Sequence, residues 1–181
     1  EDTTVIEHAD LAITITDDLG GRVSLVRKLF VHNAPPSASF VVSNKTPRTL
    51  DTVQFSSTSE DKDGAIVDWA WNFGDDPRNP LGAMAHGPDA FHAFKRPGTY
   101  LVRLTATDNV GDLSVAQASL LVLNQDPVAA FAFSPSEVHT RELATFTSTS
   151  TDPDGFILLN EWDFGDGSDT VITRAVNPGP P

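Results

Sequence analysis

Apolar and polar residues alternate with a period of two over several short stretches of the chain. Leu11, Ile13 and Ile15 alternate with a face rich in threonine, and Tyr100, Val102, Leu104 and Ala106 repeat the pattern. Val67, Trp69, Trp71 and Phe73 alternate in the same way. A two-residue period places every second side chain on one face and predicts half-buried β-strands. Clusters of turn-forming residues separate these stretches: Asp-Lys-Asp-Gly at 61–64, Phe-Gly-Asp-Asp at 73–76, Arg-Pro-Gly-Thr-Tyr at 96–100 and Asp-Asn-Val-Gly at 108–111. Asp and Asn close such turns by bonding their own backbone, and Gly supplies the left-handed conformation. No segment shows a helical period. Many short strands divided by such turns predict antiparallel β-sandwiches, with Trp71 at the centre of one sheet.

The chain repeats itself. Residues 57–76 reappear as 148–167, 91 positions later. Without a gap, that offset lays Phe40 over Phe131, Phe55 over Phe146, Asp63 over Asp154, Trp71 over Trp162 and Phe73 over Phe164. Upstream it lays 104–111 over 13–20, Val122 over Val31 and Asn124 over Asn33. The expected organisation is therefore one complete domain over 34–125, flanked by two complementary partial ones. Residues 1–33 supply the C-terminal strands of one domain, and residues 126–181 the N-terminal part of another. Proline-marked junctions at 32–37 and 124–129 read as short, stiff linkers.

The motifs of the complete unit resemble a known family as a set. They are Pro36, Ala38 and Phe40; Ser59-Glu60-Asp61-Lys62-Asp63-Gly64-Ala65-Ile66; and Trp71-Asn72-Phe73-Gly74-Asp75. His92-Ala93-Phe94-Lys95-Arg96-Pro97-Gly98-Thr99-Tyr100 and Thr107-Asp108-Asn109-Val110-Gly111 complete them. Together they resemble a PKD (polycystic kidney disease) repeat. The resemblance implies an all-β, immunoglobulin-like fold of antiparallel sandwiches in tandem. It also implies an extracellular or cell-surface location and a non-catalytic role in surface layers, adhesins or the spacers of secreted hydrolases. The terminal pieces lack the His-x-Phe-x-x-Pro-Gly-Thr-Tyr segment, and Thr3–Ala9 must stand in its place. Trp71, Phe73, Trp162, Phe164 and Tyr100 are the expected core.

Charge narrows the functions further. Twelve Lys and Arg stand against 25 Asp and Glu, a net charge of −13. Binding nucleic acid or an anionic membrane surface requires a basic stripe, which is missing. No apolar run approaches the roughly 18 residues of a membrane span. The acidic first ten residues lack the apolar centre of a signal peptide. With no cysteine there is no disulfide, thiolate metal site or thiol nucleophile.

None of the five histidines stands in a local catalytic signature, and His92 is expected to hold a structural hydrogen bond. Asp61 with Asp63, and Asp152 with Asp154, lie in glycine-ended turns rather than as an acid/base pair of a glycosidase. Calcium is the candidate cofactor, since hard cations take six to eight oxygen ligands. Asn33, Asp61, Asp63 and Asp108 are the first candidate set. Asn124, Asp152 and Asp154, with Asp17 from whatever supplies the back half, are the second. The resemblance adds that some PKD-like domains bind calcium at matching positions. The same residues acting only as turn formers and linker caps is the alternative. Trp69 is either a glycan-stacking platform or a core residue. It shares the face of Trp71 and is replaced by Asn160 in the next unit, which favours the core. Asn44-Lys45-Thr46 fits a glycosylation acceptor, with Pro47 directly after it.

Two half-sandwiches would leave apolar faces and open sheet edges, which invite pairing with another chain. The leading expectation is a filament subunit that assembles head-to-tail as a homo-oligomer. Leu11, Ile13, Ile15, Leu29 and Val31 of one chain would complete residues 126–181 of the next. The alternative is a segment of a longer tandem array, acting as spacer, adhesion or carbohydrate-binding module with a surface glycan as partner.

Overall fold

A computed structural model describes residues 5–80, 82 and 84–174, with the side chains of residues 5–7 left aside. The described residues are all-β. The strands are β1 (Val5–Thr16), β2 (Arg22–His32), β3 (Phe40–Val42), β4 (Val53–Ser57), β5 (Ile66–Asn72), β6 (Ala85–His86), β7 (Asp89–His92), β8 (Gly98–Asp108), β9 (Leu113–Val122), β10 (Phe131–Ser134), β11 (Thr145–Ser148), β12 (Leu159–Trp162) and β13 (Val171–Arg174). They fall into two compact units. The first comprises residues up to Lys45, 52–92 and 99–121; the second comprises 46–51, 93–98 and 122 onward.

The first unit contains a hairpin and a sandwich. In the hairpin β1 pairs antiparallel with β2, in a register that sets Ile13 opposite Leu25 and Ile15 opposite Val23. Its turn is closed by Asp17, whose Oδ1 accepts the N–H of Leu19 at 3.0 Å and of Gly21 at 2.6 Å. From His8 to His32 every residue of the hairpin is exposed.

The sandwich has a three-stranded sheet, β3-β4-β7, and a four-stranded sheet, β6-β5-β8-β9. Its core comes from Val53 and Phe55 of β4, Trp71 of β5, Phe73 just beyond it, Ala90 of β7, Val102, Leu104 and Ala106 of β8, and Leu120 of β9. The alternation of β8 puts its even-numbered residues inside. The Trp71 ring meets Phe40 edge-on at 5.3 Å and lies 6.0 Å from Phe55. Its indole N–H donates to the Gly87 carbonyl at 2.8 Å, so a buried donor is satisfied. Gly74 has φ +75°, and a Cβ there would lie 2.7 Å from the Leu101 carbonyl oxygen. The Phe-Gly-Asp motif is thus a backbone requirement. Tyr100 was expected in the core but is only half-buried. It shares the face of Val102 but stands near the start of β8, where the core ends.

In the second unit Pro47, Thr49, Phe94 and Val122 are buried. A parallel bridge joins Arg48 to Leu123, with Thr49 N–H donating to the Leu123 carbonyl at 2.8 Å. Beyond it β10 pairs with β11 and β12 with β13, both antiparallel. Phe131, Phe146, Trp162 and Phe164 repeat the aromatic cluster of the sandwich: Phe131 meets Trp162 edge-on at 5.8 Å, and Phe146 lies 5.1 Å from Phe164. The expectation of a buried core here is corrected. Phe164 is 45% exposed, where Phe73 is 1%. Trp162 is half-buried. The reason is physical: among the described residues of this unit no strands beyond β13 extend the sheet of β12 alongside Trp162, as β8 and β9 extend that of β5 alongside Trp71. The aromatic rings instead line an open cavity of about 530 Å³.

Candidate functional site

The acidic turns gather where the repeats join. Asp108 closes the β8–β9 turn, its Oδ1 accepting the N–H groups of Val110, Gly111 and Asp112 at 2.8–2.9 Å. Its other oxygen accepts from the Asn33 amide at 2.7 Å, and the same amide donates to Asp112 at 2.8 Å. Burial acts to raise the Asp108 pKa. The Asn33 bond and the three backbone donors outweigh it and hold the carboxyl below its ordinary value. The next residue, Ala34, donates its N–H to Asp63 at 3.0 Å, and the Asp63 N–H reaches Asp61 at 3.4 Å. Asn33, Asp61, Asp63 and Asp108 therefore belong to one connected network. Two of its buried oxygens, Asn33 Oδ1 and Asp61 Oδ2, have no hydrogen-bond partner.

The second junction repeats part of this. Gln125 N–H donates to Asp154 at 3.2 Å, as Ala34 does to Asp63, and Asp154 N–H reaches Asp152 at 3.4 Å. Asp154 also accepts from the Thr49 hydroxyl. That bond is the main cause of its lowered pKa; burial opposes it, and the Gln125 N–H and Asp152 reinforce it. Asp154 Oδ1 has no partner. Asn124 does not join the set: it is exposed, and its amide donates to the Gln125 carbonyl. Asp17 is taken up by its own hairpin turn. Thr49, Gln125 and Arg48 complete the junction unforeseen. Gln125 Nε2 donates to the Thr49 carbonyl at 2.7 Å, and Arg48 pairs with Asp126 at 3.2 Å. Contacts 76 and 105 residues apart leave no local pattern to read. Among the described residues no group of three or more His, Cys, Asp or Glu is arranged to hold a metal.

The histidines face single carboxylates: His86 meets Asp68 at 3.0 Å, and His139 meets Glu142 at 3.2 Å. His92 bonds Asp75 at 2.7 Å and stacks on Phe73 at 4.1 Å, which is a positioning contact. His8 and His32 are exposed on the hairpin. Trp69 is half-buried and paired with Ala106 across β5 and β8. Asn44 is exposed between β3 and β4.

The fold and the repeated motifs define an immunoglobulin-like β-sandwich repeat. Residues 33–120 match the model of the PKD domain. Through that repeat the chain belongs to the PKD-domain family. Among curated relatives, it is 34% identical over 116 residues to the pre-pro-metalloprotease PrtV of Vibrio cholerae serotype O1, covering 64% of this chain and 12% of the relative. It is 29% identical over 99 residues to collagenase ColA of Clostridium perfringens, covering 54% and 8%. The crystal structure of the PKD1 domain from the V. cholerae metalloprotease PrtV shows 30% identity, covering 50% of this chain and all of that one, with a TM-score of 0.42. The chain spans about a tenth of the length of these curated relatives.

Proposed function

We propose that the chain is a non-catalytic stretch of a tandem PKD array that spaces or presents other domains of an extracellular or cell-surface protein. One observation carries this reading: a PKD repeat recurs here every 91 residues, and the matched relatives are far longer proteins of which it is a small part. A collagenase meets its substrate outside cells, which supports the extracellular placement. The relatives favour this reading over a self-assembling filament subunit, because they are named as proteases rather than as structural subunits. The organisation at 34–125, with partial repeats at 1–33 and 126–181, is part of the same proposal. The test is retention of the purified chain on insoluble polysaccharide and on collagen fibres, beside a protease assay. A spacer is neither retained nor active. Retention on polysaccharide would replace the spacer role with carbohydrate binding, and turnover would overturn the non-catalytic reading.

The repeat junction is proposed to take calcium. Its donors are all oxygens, and the unpartnered Asn33 Oδ1 and Asp61 Oδ2 fit a hard cation. Asn33, Asp61 and Asp63 would hold the ion, with Asp108 fixing the Asn33 amide. At the second junction Asp152 and Asp154 would do so. Calcium there supplies charge neutralisation and a cross-link between linker and turn. Few carboxylates per site put the affinity in the range of extracellular modules, about 10⁻⁴–10⁻³ M. At ten times such a dissociation constant calcium adds about 1.4 kcal/mol of stability. Thermal unfolding with calcium or chelator reads this directly. An equal response in Asp63→Asn would assign the effect elsewhere.

A further inference from the structure

The side of the complete repeat carries an open slot. β3 and β9 are edge strands of its two sheets. Between them lies a cavity of about 310 Å³, at the lower end of the roughly 300–1,000 Å³ of small-molecule sites. Phe40 and Val42 of β3 line it, with Val102 of β8 and Leu120 of β9. Val102 is 1% exposed and Leu120 4%, so the cavity reaches the core. Ala118 also lines it and stands two residues before Leu120, on the same face of β9, yet it is exposed. Its methyl group is too short to close the gap. The last lining residue that matters is Lys45, which is exposed and makes no ion pair among the described residues.

The 91-residue offset separates what the repeat needs from what this slot adds. Phe40, Val102 and Leu120 correspond to Phe131, Leu11 and Leu29, all large and apolar. The other three positions change character: Val42 corresponds to Phe133, Ala118 to Arg27 and Lys45 to Ser136. The apolar base is therefore common to the repeats, whereas the width of the slot and the cation beside it belong to residues 34–125. We propose that the slot binds a small amphiphilic carboxylate, its unbranched apolar chain entering between β3 and β9 and its carboxylate pairing with the Lys45 ammonium. The apolar lining selects the chain, since each methylene buried is worth about fourfold in affinity. Lys45 selects the head group. A chain of net charge −13 repels anions at large, so a carboxylate is held only where an unpaired cation adjoins an apolar opening. An apolar molecule without charge would leave Lys45 unused, and a cationic one would meet it as a like charge.

The site goes beyond the array reading and depends on neither calcium nor self-association. Octanoate is the probe, titrated below its micelle concentration into the nitrogen-15-labelled 181-residue chain in calcium-free buffer, with amide chemical shifts as the readout. Saturable shifts are expected at residues 40–45 and 118–120. Hexanoate, two methylenes shorter, should bind roughly fifteenfold more weakly. Octanol, with the same chain and no charge, should bind several-fold more weakly than octanoate. Lys45→Gln should bring octanoate down to the level of octanol and leave octanol where it was. Ala118→Phe fills the slot from β9, and Val42→Phe fills it from β3; each should abolish binding of both probes. Slow hydrogen exchange across β8 shows that each variant is folded, and either filling variant suffices if the other is not. Shifts that do not saturate, shifts confined to the aromatic residues 131–164, equal affinity for octanoate and octanol, or binding that survives a folded filling variant each overturn the proposal. The array reading survives all of these outcomes, because it is tested by retention and turnover.

Discussion

Two residues set the local limits of the complete repeat. Gly74 sits at φ +75° with the Leu101 carbonyl where a Cβ would go. Gly74→Ala meets both a disfavoured conformation and a backbone clash, and backbone strain of this kind costs roughly 1–3 kcal/mol. A urea midpoint equal to wild type would show that the Phe-Gly-Asp turn relaxes without loss. Asp108 should make the complete repeat sensitive to acid. Its folded carboxyl lies below the ordinary value of 3.8, so its contribution is complete above the unfolded pKa and is lost as the pH falls through the folded one. Stability should therefore fall with acid below about pH 4. Asp108→Asn should be less stable at pH 7 and show a shallower loss in that acid window, read as denaturant midpoint against pH. An unchanged acid slope would assign the sensitivity to other carboxylates. The Asp108 turn was legible because Asp-x-x-Gly spacing is local chemistry. The tie from Thr49 to Asp154 was not, because only the folded chain brings those residues together.

Strands were the most legible elements, and their cover the least. The period-two stretches became β1, β5 and β8, and the turn clusters fell between strands. The two-residue strand β6, held to β5 at Ala70 and Trp71, carries too short a pattern to read. The aromatic positions of the C-terminal half were legible from the offset, but their burial was not. Burial depends on a second layer, and alternation in one strand says nothing of what lies over it. The same logic predicts how protection is distributed. β8 lies inside its sheet between β5 and β9 and packs three side chains into the core, so its amides should exchange slowest. The β1–β2 hairpin is a two-stranded ribbon with both faces exposed, and such ribbons are marginal in water. In dilute solution its amides should exchange orders of magnitude faster than those of β8. Equal protection at high dilution would mean that the hairpin is covered within its own chain.

Charge opposes the approach of one copy to another at the scale of the whole molecule. Residues 1–33 carry six acidic against three basic side chains, and residues 126–181 carry nine against two. Both end segments are therefore negative, as is the chain at −13. At 0.01 M ionic strength the screening length is about 30 Å, so nearly all of this repulsion is felt; at 0.15 M it is about 8 Å. Apolar burial, by contrast, is little changed by moderate salt. Any contact between copies through apolar surface should therefore strengthen as sodium chloride rises from 10 to 150 mM, with light-scattering mass against concentration as the readout. Weakening over that range would mean that opposite charges, not apolar surface, bring copies together. Calcium at matched ionic strength separates the two effects. A screening ion acts only through ionic strength, whereas an ion held by Asn33, Asp61 and Asp63 also removes charge at the junction. Asp63→Asn should reduce that excess to the share of the second junction, and Asp63→Asn with Asp154→Asn should abolish it, while the sodium chloride dependence stays in place.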